Sequence, residues 1–470
     1  MRTSTILIAV AAALGTAAAQ AAVPPTLADV QAALTAGTAK QYFISGSSAA
    51  KAGIQTFVGA SICGGAANMT TFTSAAPVSN PDFNAFACTA TAGPTSGSMT
   101  IVYYRAESGS VAGVLPIFNN VAINQLDLTA ANTTCPAGSG TVNCVIAGTA
   151  LGNGPNDSWG PAGVVKVRSD LGISDEEPDA FVGNNSPYAH APPAGYVLNT
   201  FGALPTQAQL KAMNHTTIFQ QTFEIVVNTG LGTNVLSSQA VANILNGNYL
   251  DWSSVPAFNS AQPPNGTAVK AAATPIFVCN REVGSGTRTG ASIFFLGDHC
   301  TPGAAAIAEH AGGAISDNFA TSDELVCVNS NGTSNGAAAG AIAIGYVSVD
   351  NNSKIGAGTS APNVQAVNLD GIVASNYHTA VGDYGWAFEA TAQPNAASGN
   401  PNAAAMNAFV VPALQNINTA PQKNQINAIP GQPAANTASI PLQAVGVIFT
   451  TDFFRGGGTG NSCLGMAEAN

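Results

Sequence analysis

Apolar and polar positions are arranged in short blocks along most of the chain, and the blocks read as strands that lead through turns into helices. Thr26-Leu-Ala-Asp29 has the form of a capping box, Leu27, Val30 and Leu34 share one helical face, and Gly37 ends the helix. Gln41–Ser45 then reads as a strand running into a turn and helix over 46–54, and Met99–Tyr104 as a β-branched, aromatic strand running into a second such turn at 105–114. Asp170–Asp175 predicts a short strand with a polar end, and Phe223–Asn228 an apolar strand. Ser237–Gly247 predicts a compact helix with a Ser cap and a Gly stop, followed by Trp252. Thr274–Cys279 is an apolar run before a Gly/Ser/Thr turn and a helix from Thr289 to Leu296. Ala339–Val349 is strand-like, a helix is expected over 403–417, and 442–449 reads as a late strand or helix. The segments 60–98 and 128–163 lack clear periodicity and read as stapled, inserted loops; 350–365, 418–438 and the 456–460 tail are Gly-, Asn- or Pro-rich. Strands alternating with helices predict an α/β protein.

Residues 1–22 stand apart. A short n-region with Arg2, an apolar stretch from Thr5 to Leu14 and a small-residue Ala19-Gln-Ala21 site predict a signal peptide. No later run is long and apolar enough to span a membrane, so the expected mature protein is exported, periplasmic or extracellular. The net charge of −11 excludes nucleic acid as a natural partner, because no basic patch exists to displace counterions. Only 8% of residues are charged, so the surface must be covered largely by uncharged polar and small residues.

The eight cysteines in an oxidising compartment predict disulfides. Sequence proximity favours Cys63–Cys88 and Cys135–Cys144; Cys300–Cys327 follows, leaving Cys279 with Cys463. No cysteine pair has metal-site spacing and the five histidines are scattered, so neither a metal nor a cofactor is expected.

Three turns rich in Gly and hydroxyls, at 45–50, 107–113 and 284–288, follow strands, and a fourth strand ends in Ser174-Asp175. If they converge they make a cage of N–H groups, hydroxyls, one guanidinium and one carboxylate. Helix N-termini and a planar Arg281 fork suit a tetrahedral oxyanion. A carboxylate in such a cage asks for a guest that carries a proton, since an unmatched acceptor costs on the order of 1–3 kcal/mol.

Taken in order, these segments resemble the phosphate-binding proteins of ABC phosphate uptake systems, in the type 2 periplasmic-binding-protein superfamily. Arg281-x-x-Gly-Ser-Gly-Thr287 is similar to that family's arginine-plus-GSGT turn, Gly109–Val114 to its serine turn, and Asp170–Asp175 to its strand ending in Ser-Asp. Phe223–Asn228, the helix ending Ile244-Leu-Asn-Gly247 with Trp252, and Gly340–Tyr346 resemble its crossover strand, following helix and return segment. The resemblance implies a two-lobed clamp with disulfide-stapled insertions. Lobe 1 is expected at 23–222 plus 350–470, and lobe 2 at 223–349. The ligand contacts it implies are Ser110, Asp175, Arg281, Ser285, Gly286 and Thr287. The family's first loop ends in a ligand-touching Thr where this chain has Ala50, so Ser47 or Ser48 is expected to supply that hydroxyl. The family's acid two residues beyond the arginine is Val283 here. The implied function is non-catalytic binding of inorganic phosphate or a similar oxyanion, with an ABC permease as natural partner. An anion-free structural or adhesive protein and an extracellular phosphatase are the alternatives.

Overall fold

The computed structural model describes residues 23–74, 83–146, 162–186, 201–258, 274–297, 307, 318, 320–380 and 383–415, and five backbone segments between 429 and 468. Residues 1–22, read above as a signal peptide, Cys300, Cys463 and the 456–460 tail lie outside the described residues.

The strands in chain order are β1 (Lys40–Gly46), β2 (Thr70–Ser74), β3 (Phe83–Thr89), β4 (Met99–Arg105), β5 (Ile123–Leu126), β6 (Thr141–Cys144), β7 (Val164–Val167), β8 (Leu171–Ser174), β9 (Thr216–Asn228), β10 (Val235–Leu236), β11 (Ile276–Val278), β12 (Ile342–Ser348), β13 (Val364–Ala366), β14 (Asn368–Leu369) and β15 (Ala387–Pro394). The helices are α1 (Leu27–Thr35), α2 (Lys51–Phe57), α3 (Leu115–Asn119), α4 (Gln207–Lys211), α5 (Ser238–Leu245), α6 (Gly286–Leu296), α7 (Thr321–Asn329), α8 (Asn376–Ala380) and α9 (Ala403–Gln415). The protein is α/β, as expected. The capping box at Thr26 and the Ser237 cap of α5 both form.

One mixed sheet runs β11-β12-β9-β15-β8-β1-β4-β3-β2-β6. Third in that order is β9, which extends seven residues N-terminal of the expected Phe223 start. The first half of β9 pairs with β15, and the second half with β12 and β13. The strand therefore belongs to two packing environments. On one side Tyr42, Ile44, Val102, Ile173, Ala390 and Val410 form a core. On the other, Phe223, Ile225, Trp252, Tyr346 and Trp386 form a second. Ala361 and Val364 pack beside Val226 and Phe277, which sets 361–366 against the 223–349 portion of the chain.

Two readings of the sequence are corrected here. The 60–98 segment is not a surface excursion: β2 and β3 are sheet strands, and β3 pairs with β4 along its whole length. Its Ala and Thr content hid this, because small residues give little periodicity although both faces are covered. Within 128–163, β6 likewise extends the sheet beside β2. The cysteine pairing also differs. Cys63–Cys88 and Cys135–Cys144 form, but Cys279 is bonded to Cys327 with Cα atoms 5.8 Å apart, so neither Cys300–Cys327 nor Cys279–Cys463 holds. The two pairs chosen by proximity hold; the third was missed because α7 folds back beside the end of β11, where Phe277, Cys279, Leu325 and Cys327 share one cluster. Among the described residues, no helix is long and apolar enough to cross a membrane.

Candidate functional site

Strands β8, β1 and β4 are parallel neighbours in register, so the turns at their carboxyl ends open on one edge. From β1 come Ser47 and Ser48, from β4 the tight turn Gly109–Gly113 with Ser110, and from β8 Asp175. Parallel β11 and β12 bring a second set to the same place: Arg281, then the first turn of α6 with Ser285, Gly286 and Thr287.

Asp175 is the meeting point of the first set. Its carboxylate accepts a hydrogen bond from the Ser47 hydroxyl. Its backbone N–H donates to Ser110 Oγ at 3.0 Å. All three residues are buried. Burial pushes the Asp175 carboxyl above its ordinary value, while bonds from Ser47 and Ser110 and the field of Arg281 pull it partly back.

Arg281 is wholly buried, and each guanidinium nitrogen has an assigned bond. Nε donates to the Asn318 carbonyl at 3.0 Å, Nη1 to Thr321 Oγ1 at 3.2 Å and Nη2 to Ser48 Oγ at 3.1 Å. The last bond crosses from one strand set to the other. Ser47 thus faces the carboxylate and Ser48 the guanidinium.

The first turn of α6 closes the group. Ser285 is its N-cap, accepting from Arg288 N at 3.4 Å. Gly286 packs so closely that an added Cβ would lie 2.3 Å from Ser110 Oγ and 2.7 Å from Asp175 Oδ2. Glycine is required there by approach, since any side chain would separate the two strand sets. The neighbouring Val111 N–H donates to the Gly284 carbonyl at 3.0 Å, a backbone bond between the same two turns. Thr287 is buried, and its hydroxyl has no hydrogen-bond partner among the described residues. That hydroxyl lies in the first turn of α6, at the positive end of the helix.

The eight expected residues therefore gather in one group, buried except for the half-buried Ser48: Ser48 with Arg281; Ser47 and Ser110 with Asp175; Gly286 against both Ser110 and Asp175, flanked by Ser285 and Thr287. Sequence reading missed Asn318 and Thr321, which hold two faces of the guanidinium. Thr321-Ser-Asp-Glu324 has the look of a helix start, but nothing in the pattern says that it sits on Arg281. It also missed three acids whose carboxyls lie above their ordinary range. Asp350, pushed up to about 6 by burial against the bond from Ser348 and the charge of Lys354, also feels the field of Asp175. Glu224 is pushed up to about 8 by burial, opposed by an Asn352 hydrogen bond. Glu324 is likewise pushed up to about 8 by burial, opposed by Arg281.

This arrangement offers hydroxyl and N–H donors, one fixed guanidinium and one carboxylate acceptor. Donors, a fixed cation and an acceptor together are the chemical groups that a small oxyanion carrying a proton would require. Among the described residues no group of three His, Cys, Asp or Glu is placed to hold a metal ion.

No protein-family model matches the chain, and no curated protein matches it. Solved structures do. A Clostridium perfringens protein described as a candidate phosphate ABC transporter substrate-binding protein, with phosphate bound, is 12% identical with a TM-score of 0.42, covering 84% of this chain and 100% of its own. A candidate phosphate-binding protein from Planctomyces limnophilus is 11% identical with a TM-score of 0.33, covering 82% and 90%. An ABC-type phosphate transport receptor from Vibrio cholerae is 15% identical with a TM-score of 0.28, covering 51% and 73%. At such low similarity these likenesses add nothing to what the site geometry carries.

Proposed function

We propose that this chain is a non-catalytic binder of inorganic phosphate, or of a closely similar tetrahedral oxyanion, held between two lobes. The observation that carries this reading is the buried meeting of the Arg281 guanidinium, the Asp175 carboxylate and the first turn of α6. The guanidinium and helix N-terminus would supply the positive field. Ser47, Ser48, Ser110, Ser285 and Thr287 would supply donors, and Gly286 would let the backbone approach. Asp175 would accept a hydrogen bond from the protonated oxygen of hydrogen phosphate and so select against sulfate, which at neutral pH has no such donor. The two lobes are taken as 23–222 with most of the chain after 350, and 223–349 with 361–366. They would part to admit the anion and close on it by bending near β9. The protein would act outside the cytoplasm, either delivering phosphate to an ABC permease or scavenging it.

One observation favours a second reading, in which the fold persists as a structural or adhesive protein without a ligand. Arg281, Ser48, Asp175, Ser47 and Ser110 already satisfy one another, and Gly286 touches the opposite wall. Thermal-shift measurements with phosphate, arsenate, sulfate and molybdate separate the two readings. Stabilisation by phosphate and arsenate, with discrimination against sulfate weakened in Asp175→Asn, is the expected result. No shift with any of the four supports the structural reading.

A further inference from the structure

Behind the guanidinium, α7 presents three groups at successive i, i+3 positions. Thr321 Oγ1 accepts from Arg281 Nη1 at 3.2 Å. Glu324 lies one turn on, fully buried. Cys327, a further turn on, is bonded to Cys279, two residues before Arg281. The helix and the arginine segment are thus tied together covalently at one end and by a hydroxyl at the other, with Glu324 between.

Glu324 completes a broken ladder. The last paired residues of β11 and β12 are Val278 and Ile344, after which β11 turns off toward Arg281. The next N–H of β12 facing that side, at Tyr346, has lost its strand partner. Glu324 Oε1 accepts it at 2.6 Å. The Tyr346 hydroxyl then returns to the departing chain, accepting from the Arg281 backbone N–H at 3.2 Å and bonding to Asn280 Oδ1. A Cβ at Gly345 would lie 3.1 Å from Glu324 Oε1 and 2.8 Å from Val328 Cγ2, so a side chain there would push α7 away. The second oxygen, Oε2, is buried with no hydrogen-bond partner among the described residues.

We propose that Glu324 is the positioning residue of Arg281: it locks α7 and β12 behind the guanidinium and governs the net positive charge that the cleft presents to an anion. The proposal rests on the oxyanion reading above. The charged and titratable groups coupled to this carboxyl are Arg281 and Tyr346. Arg288, which donates to the Arg281 carbonyl at 2.8 Å, acts on Tyr346. Burial holds the Glu324 carboxyl at about 8, against the field of Arg281 and the Tyr346 N–H. Below that pH it is a neutral acceptor, and Asp175, on the other side, is the acid that still acts with the guanidinium. Above it the Glu324 carboxylate offsets the guanidinium charge.

The test is calorimetric titration of inorganic phosphate into the full mature chain, comparing wild type, Glu324→Gln and Glu324→Ala at pH 6.5 and pH 9. At matched pH the ratio of affinities cancels the ionisation of phosphate itself. The Gln variant keeps an acceptor for Tyr346 and is expected within about twofold of wild type at pH 6.5, but about tenfold tighter at pH 9. The Ala variant is expected to bind more weakly than Gln at both. Wild type alone supplies an independent readout: the Arg281 15Nε resonance should move with a midpoint near pH 8. A wild-type-to-Gln ratio that is the same at both pH values, or an Arg281 resonance unmoved between them, overturns the proposal while phosphate binding stands. If wild type binds no phosphate at either pH, the oxyanion reading falls and takes this proposal with it.

Discussion

Replacing Gly286 by Ala tests the closeness of the two strand sets. The added methyl would stand 2.3 Å from Ser110 Oγ, where ordinary contact begins near 3.4 Å, so about 1 Å must be found. Ser110 cannot simply turn away, because its oxygen accepts the Asp175 N–H at 3.0 Å in a fully buried setting. Turning it would orphan that N–H at about 1–3 kcal/mol. Keeping it would push α6 off the end of β8, an overpacking cost of about 1–3 kcal/mol. Either route gives a destabilisation of about 1–3 kcal/mol, together with displacement of the helix turn from the anion position. Urea denaturation with and without phosphate measures both. Gly138→Ala is the control, since its added carbon would meet nothing nearer than Val142 Cγ2 at 3.5 Å. The reasoning is refuted if Gly286→Ala matches wild type and the control in midpoint and keeps its full response to phosphate.

Other outcomes follow from the same geometry. Arg281→Lys keeps a charge but loses the fork that reaches Asn318, Thr321 and Ser48, so phosphate affinity should fall at least tenfold; unchanged affinity would show the fork to be irrelevant. Removing the Cys279–Cys327 bond by paired Ser substitution opens a loop with a separation of 48 residues and should cost about 2–4 kcal/mol in denaturant unfolding, whereas no loss would mean that packing alone holds α7. Glu224 and Glu324 keep their protons up to about pH 8 in the fold but release them near 4.5 when unfolded. Between those values the unfolded chain binds fewer protons, so stability should fall as pH rises from about 5 to 8, by roughly 1–3 kcal/mol per unit at the steepest. A flat or rising stability profile across that window would contradict the burial of these acids as neutral groups.

The parts of the fold legible in sequence were those whose signals are local. The Thr26 capping box, the Ser237 cap, and the β-branched runs of β4, β9 and β12 each announce themselves within a few residues. The same holds for the site turns, because Gly and hydroxyl residues after a strand are a local pattern. What the sequence hid is non-local. The Ala/Thr composition of β2 and β3 reads as loop, yet their backbones continue the sheet beside β4. The Cys279–Cys327 bond, and Thr321 and Glu324 behind Arg281, depend on where α7 docks after an intervening stretch of some forty residues. Which serine would stand in for the absent first-loop threonine was open for a related reason. Ser47 and Ser48 are adjacent, and only the direction of the turn decides that one faces Asp175 and the other Arg281.

Equilibrium dialysis of radiolabelled phosphate against the purified protein, beside Arg281→Ala, bears most directly on the central claim. One saturable site per chain in wild type, lost in the variant and not competed by excess sulfate, is the expected result. No retention of phosphate by wild type, or retention unaltered by the loss of Arg281, would contradict it.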